Sequence, residues 1–160
     1  SNTITELTPT QNNIVNNAKK QYSKDAVFFD DENTDFGGGV SLIDKNTIFI
    51  GKNAAEQYGA NYILRHEIAE DMIAHHSNIV GKELNGLIDE INNDNNFYKL
   101  FDYYLSEMEG ADLNYYNKNA DIIAKEILCD IYAGISNNES VDTTNFIKNN
   151  LSPQLYNRIE

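Results

Sequence analysis

The chain has little that would lock it with disulfides, draw it to nucleic acid or carry it through a membrane. Cysteine occurs once, at Cys129, which excludes an internal disulfide framework. That residue lies in an apolar stretch and reads as a small buried hydrophobe. Basic residues number 12 against 25 acidic ones, for a formal net charge of −13. The lysines are scattered, so no local patch offsets repulsion from a phosphate backbone, which argues against nucleic acid as a partner. The acidic excess reads most simply as solubility. No apolar run nears the roughly 18 residues that a membrane span requires. Proline occurs twice, and Thr8-Pro9 and Ser152-Pro153 both read as helix starts.

What is present suits one globular domain spanning 1–160. Apolar residues make up 41% and charged residues 23% of 160 positions, enough to bury a single core. Ser1-Asn2 stands in place of an initiator Met and reads as a tag remnant. The expectation is a domain excised from a longer protein, either cytoplasmic or exported as part of that protein; its oligomeric state is left open. Asparagine pairs such as Asn12-Asn13 and Asn149-Asn150 read as the bias of an AT-rich genome. The chain contains no internal repeat.

Ile14, Val15, Ala18 and Tyr22 keep helical spacing after Pro9. Ala26–Phe29 reads as a short strand. Val40–Ile43 and Thr47–Ile50 read as a β-hairpin around Asp44-Lys45-Asn46. Asn53 with Glu56 suits a capping box, and the pattern predicts one long helix from Ala54 to about Ser77, interrupted only by Gly59. Amphipathic helices follow over Lys82–Ile91 and Phe97–Met108, then an apolar one over Asn119–Ile135, and a last pair near Asn145–Leu151 and Pro153. This is an α+β arrangement, a small N-terminal antiparallel sheet or hairpin packed on a mainly helical core.

Arg65-His-Glu-Ile-Ala-Glu-Asp71 lies within the long helix. His66 and Glu70, at i and i+4, share a face and can converge on one metal ion, while Glu67 points about 100° round the helix. In a His-Glu-x-x-His arrangement the adjacent Glu is the general base for the attacking water. The same spacing also suits a plain hydrogen bond on a helix surface. The later helix carries Glu126 and Asp130, again at i and i+4, in an otherwise apolar face with Ile122, Ile123, Cys129 and Ala133. Burying unpaired carboxylates there costs several kcal/mol, a cost that a metal ion or a histidine would relieve. If Glu126 completes a site with His66 and Glu70, Asp130 can accept the other ring N–H of His66 and fix its tautomer. Otherwise this helix is simply wetter than its pattern implies.

Taken together, the strand Thr47–Ile50, the helix opening into Arg65-His-Glu-Ile-Ala-Glu70 and the later Lys125-Glu-Ile-Leu-Cys-Asp130 resemble a small zincin metallopeptidase of the gluzincin type. Compact relatives of that kind occur in phage, mobile-element and toxin-like bacterial proteins. The resemblance covers about Thr47 to Ala133. It implies a zincin-like core, Zn²⁺ as cofactor, a peptide or protein substrate, His66 and Glu126 as ligands, Glu67 as general base and Asp130 as the acid that orients His66. Glu70 stands where that family has its second His, so the proposed ligands are His66, Glu70 and Glu126. One imidazole with two carboxylates makes a harder, more anionic site, suited to Mn²⁺ or Fe²⁺ as well as Zn²⁺. It is also a poorer Lewis acid, so an inactive descendant of the fold fits the same residues. His76 lies ten residues after His66, but without a helix break it cannot reach the ion. His75 and His76 read as a helix C-terminal signal.

Two other readings use these features differently. Glu67, Glu70, Glu126 and Asp130 resemble the Mg²⁺-holding cluster of all-α nucleotide pyrophosphohydrolases, although the hairpin, the Glu126-to-Asp130 spacing and the lack of a basic patch count against it. An acidic, non-enzymatic binding or immunity-type module would instead use Tyr103, Tyr104, Tyr115 and Tyr116 as interface anchors.

Overall fold

A computed structural model describes residues 3–32, 39–42, 46–74, 79–108 and 110–160. Helix α1, Pro9–Tyr22, starts where Thr8 accepts from the Gln11 amide and the Gln11 side chain returns the bond, a reciprocal cap. It ends at Ser23 in the left-handed region, and strand β1, Asp25–Phe29, follows. Strands β2, Gly39–Leu42, and β3, Thr47–Gly51, complete a sheet of order β1-β3-β2.

The α+β class expected from the sequence holds, but the sheet is not wholly antiparallel. β2 and β3 pair antiparallel, as a hairpin does, whereas β1 runs parallel to β3. The parallel register sets Ala26 beside Ile48 and Phe28 beside Ile50. These four buried side chains make one apolar face, which Ile14 and Ala18 of α1 help to cover. Of the expected hairpin turn, Asp44 and Lys45 lie outside the described residues.

The single helix expected from Ala54 onward is two helices, α2 over Lys52–Tyr58 and α3 over Ala60–Ala74. Gly59 separates them at φ 98°, a conformation that glycine adopts without steric cost. A Cβ there would also meet the Ser136 side-chain oxygen at 2.3 Å, so the break lets a distant turn approach closely. Nor does Asn53 cap α2. The Asp31 carboxylate does so from 22 residues away, accepting from the Asn53 amide at 2.8 Å and from the Ala54 amide at 3.0 Å.

The rest is helical: α4 Ile79–Asn92, α5 Phe97–Ser106, α6 Gly110–Lys118, α7 Ala120–Ala133, α8 Asn138–Asn150 and α9 Pro153–Ile159. The sequence reading had no counterpart for α6. Helix α7 is buried over most of its surface, with Ile123, Ala124, Ile127, Leu128 and Cys129 fully enclosed. A helix apolar nearly all round belongs in a protein interior. It packs on α3 between two apolar clusters, one beneath the sheet and one among α4, α5, α7 and α8. Arg65 joins the two. Its guanidinium lies 4.6 Å from the centre of the Tyr132 ring, donates to the Tyr132 carbonyl at 2.8 and 3.1 Å, and donates to the Tyr22 hydroxyl at 3.0 Å.

Candidate metal centre

Packing of α3 on α7 brings together side chains 60 residues apart. His66 Nε2 lies 2.9 Å from Glu126 Oε2. Each helix adds a second residue one turn away on the same face, Tyr62 before His66 and Asp130 after Glu126. The Tyr62 hydroxyl donates to Asp130 Oδ1 at 2.6 Å, and the buried Tyr104 hydroxyl of α5 donates to Asp130 Oδ2. Asp130 lies 3.3 Å from His66 Nε2, the nitrogen that also faces Glu126. It was expected to take the opposite ring N–H. Two tyrosine hydroxyls fix its carboxylate on the Nε2 side instead, and the nearest acid to Nδ1 is Glu67, at 3.7 Å.

Glu67 is 5% exposed, and its Oε2 has no hydrogen-bond partner among the described residues. A buried polar atom without a partner is uncommon and points to a missing water or ion. Burial pushes the Glu67 carboxyl above the usual carboxylate range. Hydrogen bonding and attraction to His66 oppose that rise, and Glu70 adds to it. Glu70 is likewise raised, first by burial and then by repulsion from Glu126, with His66 and Lys125 pulling the other way. Lys125 Nζ stands 3.9 Å from Glu70 Oε1. Burial acts to strip the proton from His66, but attraction to Glu126, hydrogen bonds to Glu126 and Glu67, and the charge of Asp130 outweigh it, so its pKa is well above the ordinary histidine value.

Among the described residues, His66, Glu70 and Cys129 bring one donor atom each within 4.8 Å of the others. Thus His66 meets Glu126 directly, Glu70 is their close electrostatic neighbour, and Glu67 borders them. Cys129, read from the sequence as a hydrophobe, joins the group; its position three residues after Glu126 on one helix face was the available signal. Imidazole, carboxylate and thiol are all ligands of divalent transition metals, and Glu67, the residue next to His66, has a buried oxygen without a partner among the described residues, so these residues fit a metal ion. His75 and His76 lie outside the described residues.

The site opens onto a cavity of about 490 Å³, lined by His66, Glu67, Glu126 and Asp130 and by a wall of tyrosines that includes Tyr58, Tyr62 and Tyr103. Glu107, Glu139 and Asp142 also line it, whereas among the described residues no lysine or arginine does. Among the described residues no helix is long and apolar enough to cross a membrane. Compared with protein-family models, with curated proteins and with solved structures, the chain gives no match.

Proposed function

We propose that the chain is a zincin-like, metal-dependent hydrolase of peptide bonds, with His66, Glu70 and Glu126 as ligands and Glu67 as general base. The observation that carries this reading is the 2.9 Å approach of His66 to Glu126 across two helices, beside Glu67, a buried glutamate that lines the same cavity. A divalent ion held there would supply Lewis-acid polarisation of the scissile carbonyl and a more acidic water. Glu67 then accepts a proton from the attacking water and can return it to the leaving amine. Burial suits it to this role, because a carboxylate raised toward neutrality is a better base than an ordinary one. Tyr62 and Tyr104 hold Asp130 beside the Nε2 edge of His66, where it adds negative charge to the centre. The tyrosine-lined cavity would receive the substrate chain.

A pyrophosphohydrolase is less well supported. Both Asp130 oxygens already accept tyrosine hydroxyls, and the described lining of the cavity offers no cation for a polyphosphate. The test compares the wild-type chain with Glu67→Gln after zinc loading, using metal analysis and a mixed peptide library read by mass spectrometry. The expected result is about one zinc ion per chain in both, cleavage by wild type, and a loss on the order of 10²- to 10⁴-fold in the variant. Equal cleavage by the variant, or a chain that retains no metal, refutes the reading.

A further inference from the structure

We propose that Cys129 is a further ligand to the same ion, making the centre a mixed sulfur, nitrogen and oxygen site that selects zinc-like ions over manganese or magnesium. This rests on the metal reading above and deepens it. Three donor atoms within 4.8 Å of one another, evenly arranged, lie no more than about 2.8 Å from a common centre. Zinc bonds run roughly 2.0–2.2 Å to nitrogen or oxygen and about 2.3 Å to sulfur. Closing His66, Glu70 and Cys129 onto one ion therefore takes well under about 1 Å per donor, within the reach of side-chain torsions. Cys129 sits three residues after Glu126, so the helix face that delivers Glu126 to His66 delivers the thiol as well.

A fully buried thiol with only apolar neighbours is a small hydrophobe. This one has an imidazole and a carboxylate within ligand range. An independent observation close by points to a ligand: Glu67, 5% exposed, has Oε1 3.7 Å from His66 Nδ1, and its other oxygen, Oε2, is buried with no hydrogen-bond partner among the described residues. Sulfur binds the ion as thiolate, and its proton passes to solvent on loading. A soft thiolate favours zinc, cobalt or cuprous copper, whereas carboxylates alone would accept manganese or magnesium. His66, Glu70 and Cys129 leave zinc's fourth position to Glu126, which meets His66 at 2.9 Å, or to water.

The test uses Co²⁺ as a spectroscopic substitute for zinc, titrated into the metal-free full chain. Cys129 is the sole cysteine, so a thiolate-to-cobalt charge-transfer band in the near ultraviolet can arise from no other residue. The expected result is that band at about one equivalent, its persistence under roughly a hundredfold excess of Mn²⁺, and its loss in both Cys129→Ser and Cys129→Ala while cobalt still binds. Cobalt bound without the band overturns the sulfur ligand and leaves the three-ligand site standing. Failure to bind either cobalt or zinc overturns both. If neither variant folds, the wild-type spectrum and the manganese competition decide alone.

Discussion

Tyr104→Phe offers the sharpest probe of how the candidate centre is supported. The change keeps the buried ring and removes only the hydroxyl that donates to Asp130 Oδ2. No cavity follows, so the cost is that of a hydrogen bond to a charged group, about 1.5–3 kcal/mol. For a chain of 160 residues that corresponds to roughly 3–12 °C in Tm. The pH dependence supplies a second, independent signature. Burial, the Asp130 charge and Tyr62 hold the Tyr104 hydroxyl far above the ordinary tyrosine value, so the folded protein keeps this proton. The unfolded chain releases it near pH 10. Above that point the unfolded state binds fewer protons, and wild-type stability falls by about 1.4 kcal/mol per pH unit on account of this group. The phenylalanine variant lacks the term. Its deficit at neutral pH should therefore shrink by about that slope between roughly pH 10 and 11. Urea unfolding of the metal-free proteins across this range, with tyrosinate absorbance followed in parallel, measures both effects. A neutral-pH deficit below about 0.5 kcal/mol, or one that stays constant into the alkaline range, refutes the argument that this hydroxyl supports Asp130.

Two further outcomes are expected. Because Glu126 and its neighbours hold a proton on His66 well above the ordinary histidine pKa, metal must displace that proton. Zinc affinity should then rise with pH through and beyond neutrality with measurable proton release, and a pH-independent affinity by chelator competition would show that His66 is not a ligand. Gly59→Ala should destabilise by about 1–3 kcal/mol, since it imposes φ 98° on an L side chain and drives a Cβ against Ser136; an unchanged Tm would mean that the α2–α3 break does not depend on glycine.

Local signals carried much of the fold. Thr8, Pro9 and Gln11 mark the start of α1 because their bonds lie within one turn, and the buried character of α7 is written in apolar side chains broken only by Asp121, Lys125, Glu126 and Asp130. Glu126 and Asp130 stood out because two acids in such a run require partners. What remained hidden depends on residues far apart in the chain. Asp31 caps α2 from outside it, displacing the local choice of Asn53. The break at Gly59 makes room for Ser136, 77 residues on, and the parallel placing of β1 follows from the face it shares with Ile48 and Ile50. At the site, Tyr62 and Tyr104 look like any other helical tyrosines until α3, α5 and α7 meet on Asp130, and Cys129 looks like a hydrophobe until His66 and Glu70 stand within its reach.

The bridge made by Arg65 between the halves of the molecule bears on the order of events during synthesis. Its partners Tyr22 and Tyr132 lie 43 residues before it and 67 after it. Most of the chain must have left the ribosome before both are available, and closing loops of that length is slow compared with winding a helix. His66 waits in the same way for Glu126. On the metal reading, the contact between His66 and Glu126 exists only once α3 and α7 have packed, so complete ligation would wait on folding.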